Sequence, residues 1–247
     1  MLKKRIIITL TFLDGILYRT KYFKPDYRYT KNFIDFWSID ELILIDISKK
    51  KFSDSFMKII NYFCANCFVP LTVGGGIKTI DDADLYFKNG ADKVLLGTNA
   101  IYQNNLIKDI KDKYGVQAII QSIDCKKKNY RKLYTVMSNS GETDLEIDPI
   151  EFGKISLENG IGEILINNID NDGSLLGFDT NLISMISKYL KCPIIALGGG
   201  GNWDHFLDVF TKTDISAVSS QNIFHFTEES VRSLKIYLET NNIDVRK

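Results

Sequence analysis

The chain has 247 residues, enough to bury a large apolar core within one α/β domain. Lysine plus arginine and aspartate plus glutamate both number 31, so the net charge is zero and there is no electrostatic basis for binding nucleic acid or an anionic membrane. The 4 cysteines are too few for a disulfide framework, and no stretch approaches the ~20 apolar residues of a membrane helix, so a soluble, cytoplasmic protein is expected.

The first predicted element is a strand over 5–10. Lys3-Lys4-Arg5 followed by Ile6-Ile7-Ile8-Thr9-Leu10 has the order of a signal peptide. The apolar run is short, however, no small-residue cleavage site follows, and Asp14-Gly15 ends it with a turn signal. Further short β-branched runs lie at 42–46, 70–73, 93–96, 117–124, 163–168, 193–197 and 215–219, which makes eight strands. Helical periodicity fills intervals at 56–63, 80–89, 105–113, 148–158, 181–189 and 204–210. Cys64 and Cys67 end the first of these helices as a Cys-x-x-Cys pair, but no second pair completes a zinc set, so they read as helix-end packing and no metal or cofactor is expected. After the fifth strand, alternation over 130–137 predicts a small hairpin above the barrel mouth. Strands apolar on both faces, alternating with helices, predict a single closed (β/α)8 TIM barrel over 1–247.

The barrel carries an internal repeat. Pro70-Leu71-Thr72-Val73-Gly74-Gly75-Gly76 aligns without a gap on Pro193-Ile194-Ile195-Ala196-Leu197-Gly198-Gly199, 123 residues later, and Asn99 falls on Asn222. Two related half-barrels predict two similar anion sites. Gly74-Gly75-Gly76 and Gly198-Gly199-Gly200-Gly201 fall at strand C-termini, where backbone N–H groups can meet a phosphate; a tight strand-to-helix turn is the plain alternative for either cluster.

Carboxylates at strand C-termini are Asp46, Asp124, Asp170 and Asp172, of which Asp124 is the candidate acid or base. His205 and His225 read as structural. At the opposite face, Arg5, Glu41, Lys93 and Glu163 each stand at a strand start. They are either four solvated ends or a charged ring that closes or gates the bottom opening.

One family shares these features together with Met1-Leu2-x-Lys4-Arg5-Ile6-Ile7, Gly90-Ala91-Asp92-Lys93-Val94, Ile123-Asp124-Cys125-Lys126, Gly162-Glu163-Ile164-Leu165, Asp170-Asn171-Asp172-Gly173 and Ile223-Phe224-His225-Phe226. Over essentially its full length the chain resembles the cyclase subunits of imidazole glycerol phosphate synthase. The resemblance implies a glutaminase subunit docked on the barrel bottom, ammonia crossing the barrel, and a bis-phosphorylated ribulosyl substrate cyclising at the top. It implies that Arg5, Glu41, Lys93 and Glu163 form the ammonia gate and that Asp92 engages the glutaminase. Of the family's two catalytic aspartates one is Asp124, but the other falls on Thr11, whose hydroxyl does not titrate in the useful range and is expected to be inactive. The family's strand-one lysine is Arg19, and a guanidinium is not equivalent to an ammonium. Phosphate positions Gly76, Thr98, Asp172, Gly173 and Gly199 match, whereas small residues opening the last helix become Gln221 and Asn222, and an asparagine becomes Gly97.

A preserved bottom with an altered top implies a diverged second-copy paralogue. Such a subunit pairs with a glutaminase and channels ammonia for amidino-group formation in bacterial surface-sugar biosynthesis, where a separate amidotransferase consumes it. Two alternatives stand beside this reading: a genuine histidine-biosynthesis cyclase in which Asp14 or Asp46 covers for the missing acid, and a non-catalytic phosphate-binding regulatory barrel.

Overall fold

The computed structural model describes residues 3–29, 37–49, 51–103, 105–128, 133–221, 223–226 and 230–246. Eight parallel strands close on themselves: β1 (Arg5–Leu13), β2 (Glu41–Asp46), β3 (Leu71–Gly74), β4 (Lys93–Leu96), β5 (Ile119–Lys127), β6 (Glu163–Asn168), β7 (Ile194–Leu197) and β8 (Ala217–Ser220). Pairing of β5 with β6 (Glu163 beside Ile120) and of β8 with β1 (Arg5 beside Ala217) completes the ring, so the expected (β/α)8 barrel is formed.

The helices are α1 (Asp54–Asn66), α2 (Ile80–Lys88), α3 (Leu106–Tyr114), α4 (Pro149–Asn159), α5 (Thr180–Tyr189), α6 (Trp203–Lys212), α7 (Ile223–Phe226) and α8 (Val231–Thr240). Their starts follow local chemistry. Ser53, Asp148, Asp179, Asn202 and Ser230 each accept a hydrogen bond from a first-turn N–H, and Thr79 with Asp82 forms a reciprocal capping box. None of the helices among the described residues is long and apolar enough to cross a membrane.

Strand alternation divides the interior. Along β1, Ile6, Ile8, Leu10 and Phe12 join the outer core shared with the helices, against Phe56, Phe63 and Tyr86, while Arg5, Ile7, Thr9 and Thr11 belong to the other face. Ile7, Ile43, Leu95, Ile120, Leu165, Ile195 and Ala217 form a separate buried layer inside the barrel. Period two therefore stacks a charged residue, an apolar one and then hydroxyls along the same axis-facing file.

Two strands run further than expected because each continues into a hairpin. β5 extends to Lys127 and pairs antiparallel with Tyr134–Ser138, which is the hairpin read at 130–137; Tyr130 itself lies outside the described residues. β1 extends to Leu13 and pairs with Ile16–Lys21, which in turn pairs with Lys24–Arg28. Asp14 and Gly15, with φ of 52° and 78°, make the tight turn between them. This first hairpin and α8 were not expected from the sequence. Residues 117 and 118, read as the start of the fifth strand, instead belong to a 3-10 turn, Val116–Ala118.

Candidate functional site

Above the apolar layer, the strand C-termini and their loops enclose a cavity of about 630 Å³. Thr11, Asp46, Gly76, Thr98, Asp124, Asp172, Gly173, Gly199 and Gln221 all line it, which brings together the residues expected at the top. Asn222 lies outside the described residues. Asp14 and Asp170 do not line the cavity. Asp14 donates its N–H to Ser48 Oγ at 2.7 Å, and Asp170 accepts from Lys127 N at 2.9 Å, so both act in loop structure.

Asp124 lines the cavity from the C-terminal part of β5. Ser122 Oγ donates to Oδ1 at 2.9 Å and Thr98 Oγ1 reaches Oδ2 at 3.5 Å. Burial pushes the carboxyl up to about 6, with the nearby Asp172 charge adding to it and the two hydroxyls opposing it. Thr11 is differently employed: its hydroxyl donates to the carbonyl of Tyr18 at 2.5 Å, and Gln221 Nε2 donates to the same carbonyl at 3.1 Å. Together they tie the first hairpin to the barrel rim.

Asp172 also serves that hairpin. Thr20 Oγ1 donates to Oδ1 at 3.0 Å and Phe23 N to Oδ2 at 2.9 Å; burial raises its pKa against these two bonds. Arg19 lies on the hairpin, donates through Nε to Asp26 Oδ2 at 2.6 Å, and does not line the cavity. The turn that follows Tyr134–Ser138 and leads into its pairing with Thr143–Asp144 contributes Asn139 and Ser140, and Asn99 Nδ2 donates to Asn139 Oδ1 at 3.0 Å. The two glycine turns correspond as the repeat requires: Gly75 and Gly76 have φ of 115° and 78°, Gly198 and Gly199 of 96° and 108°. Tyr86 OH on α2 fixes the first turn by donating to Gly75 O at 2.7 Å. His205 holds the second, accepting from Gly201 N at 3.2 Å through Nδ1. His225 falls in α7.

The structure adds lining residues that the sequence reading passed over. Asn167 is one, and its Oδ1, like Oδ2 of the expected Asp46, is buried without a hydrogen-bond partner among the described residues. Lys51 lines the cavity as well; the signal for it was the Lys49-Lys50-Lys51 run directly after the second strand.

At the bottom the four charges form a closed cycle. Arg5 donates to Glu41 Oε1 at 2.5 Å and to Glu163 Oε1, while Lys93 Nζ lies 3.1 Å from Glu41 Oε2 and 3.3 Å from Glu163 Oε2. Each carboxylate thus bridges both cations, and Arg5, Glu41 and Glu163 are buried. Burial pushes the Glu41 carboxyl up, but the Arg5 and Lys93 charges outweigh it and hold it below the ordinary carboxylate range. These are not solvated strand ends. Asp92, beside the ring, is exposed, yet its Oδ2 accepts from Leu71 N at 2.8 Å and so helps to join β3 to β4. Cys67 caps α1 and is buried, and Cys64 is exposed.

The chain matches the model of the histidine biosynthesis protein family over residues 19–230. It is 34% identical to imidazole glycerol phosphate synthase subunit HisF of Staphylococcus carnosus, covering 100% of this chain and 99% of the relative. Against the same subunit of Chlorobium limicola it is 38% identical, over 84% of this chain and 82% of that one. A Pseudomonas aeruginosa protein provisionally named imidazole glycerol phosphate synthase subunit hisF2 is 35% identical over 99% of this chain and 100% of its own length.

Proposed function

The chain belongs to the histidine biosynthesis protein family, as a cyclase subunit of the imidazole glycerol phosphate synthase type, and from that premise we propose that its barrel conducts ammonia from a docked glutaminase to a biosynthetic reaction other than the histidine-pathway cyclisation. The observation that carries this reading is the contrast between the two ends. The four-charge ring is complete at the bottom, whereas Thr11, at the family's strand-one aspartate position, is bonded to the Tyr18 carbonyl and its hydroxyl does not ionise near neutral pH as a general acid or base must. Likeness to a hisF2 protein supports second-copy status.

Chemistry supports a conduit. Glutamine hydrolysis at the bottom face would release ammonia against the ring, and the apolar layer above it disfavours ammonium, whose charge would lose hydration there, relative to neutral ammonia. Beyond that layer Thr9 and Ser122 line the upper cavity. There, ammonia would pass a ligand held at the glycine turns on its way to the enzyme that consumes it. We assign the product to amidino-group formation in surface-sugar biosynthesis, with a separate amidotransferase consuming the ammonia.

Asp46 favours a second reading, a genuine cyclase, because this buried carboxylate lines the cavity with an unpartnered oxygen. Two measurements separate the readings. The barrel is expected to stimulate glutamine hydrolysis by a glutaminase encoded nearby and to fail to complement a strain lacking the histidine-pathway cyclase. Robust complementation would establish the cyclase, and absence of stimulation would leave only a regulatory barrel.

A further inference from the structure

We propose that Lys51 is an anion-binding residue of the upper cavity, making the first half-barrel the end that takes the phosphate of the ligand. This deepens the reading above, on which the cavity receives a phosphorylated molecule. Lys51 follows β2 on the loop that overhangs the first glycine turn. A Cβ placed on Gly76 would lie 2.4 Å from Lys51 Cγ and 2.9 Å from its Cβ and Cδ, so the lysine stem crosses directly over the turn. Its Nζ donates to the carbonyl of Asp46 at 2.6 Å, and no carboxylate among the described residues lies within ion-pair distance of it. The ammonium is therefore half-buried against a neutral acceptor, and burial lowers its pKa despite the Asp46 charge. An arriving dianion would supply the charge-assisted partner it lacks.

The two halves differ in this respect. Lys51 and the exposed Lys78, which flank Gly75-Gly76, are the cationic residues lining the cavity among the described residues. The matching turn at Gly198–199 has no lysine or arginine beside it in the lining, and Arg19 is engaged with Asp26 outside the cavity. The repeat has thus kept two similar backbone turns while charge has been placed at one. A ligand with a single phosphomonoester would bind in one orientation, its phosphate at Gly75-Gly76 and its uncharged polar end toward Asn167 and Gln221.

The test uses the whole barrel without a glutaminase, so failure of the conduit reading would not affect it. Inorganic phosphate and ribose 5-phosphate, as free and esterified dianions, are titrated calorimetrically into wild type, Lys51→Met and Lys51→Arg. Lys51→Met is expected to weaken binding roughly ten- to a hundred-fold, the usual loss for a hydrogen bond to a charged group, with Lys51→Arg retaining most of it. Tighter binding of the ester assigns the site to a phosphorylated ligand, and tighter binding of phosphate assigns it to the free ion. Protection of Lys51 from amine acylation by phosphate, read by mass spectrometry on wild type, gives the same answer without a substitution. Equal or tighter binding by Lys51→Met, or unprotected acylation at saturating phosphate, overturns the proposal, since the lysine would then merely fill the turn.

Discussion

Asp124 is held neutral over a range in which an exposed aspartate is fully ionised, and this makes it visible to stability measurements. Its folded pKa of about 6 lies above the ordinary aspartate value of 3.8, so the folded chain binds this proton more tightly than the unfolded one. The resulting stabilisation is complete below about pH 4 and is lost as pH rises through 6. Asp124→Asn, which cannot ionise, is expected to gain on wild type across that window by roughly 1–3 kcal/mol, the lower end applying if water in the cavity screens the charge. Thermal unfolding of both proteins from pH 4 to 8 checks it; a constant gap would mean Asp124 is ionised throughout. At position 11, the sequence already showed the missing carboxylate, but not that the threonine hydroxyl had become a donor to the Tyr18 carbonyl. Thr11→Asp would set a carboxylate against that carbonyl, so it is expected to lose about 1–3 kcal/mol in urea denaturation and to restore no cyclase activity.

The first hairpin is anchored by its pairing with β1 and by buried Leu17, and beyond these by polar contacts through Asp172, Gln221 and Thr11. Asp172→Ala is expected to speed amide hydrogen exchange over 20–28, where Asp172 holds Thr20 and Phe23, while leaving the barrel strands protected. Uniform acceleration across the chain would instead make Asp172 part of the global core. Of the elements, the barrel strands were legible because two-sided burial writes itself as continuous β-branched runs, as in Ile6-Ile7-Ile8. The first hairpin was not: Lys24–Arg28 is exposed throughout and carries no alternation, leaving only Asp14-Gly15 as a signal. Likewise α8 hides among polar residues, its buried Val231, Leu234 and Leu238 being the whole of its pattern. In the cavity, turns and carboxylates were legible from their positions after strands, whereas Lys51 was not, since a lysine run ordinarily marks a solvated loop.

At the scale of the whole molecule, the bottom face combines the charged ring with an exposed aromatic pair, Trp37 and Phe68, whose ring centroids are 6.2 Å apart just before β2 and β3. If a glutaminase docks there, Trp37→Ala is expected to weaken its binding at least ten-fold, since aromatic residues dominate interface energetics; titration of the complex measures this. Lys93→Ala is expected to leave hydrolysis stimulated but lower the product formed per glutamate released, because Glu41 and Glu163 then share Arg5 alone and the cycle opens. Unchanged coupling would make the ring a structural plug. The ring also bears on how the two halves recognise each other. Arg5, Glu41 and Lys93 come from β1, β2 and β4, and Glu163 from β6, so the first half contributes one surplus positive charge and the second one negative. Pairing two copies of either half would bury like charges at the bottom; only one of each gives neutrality. A barrel cut between β4 and β5 should therefore reassemble as a heterodimer in preference to either homodimer, the ring acting as a lock that sorts fragments by charge.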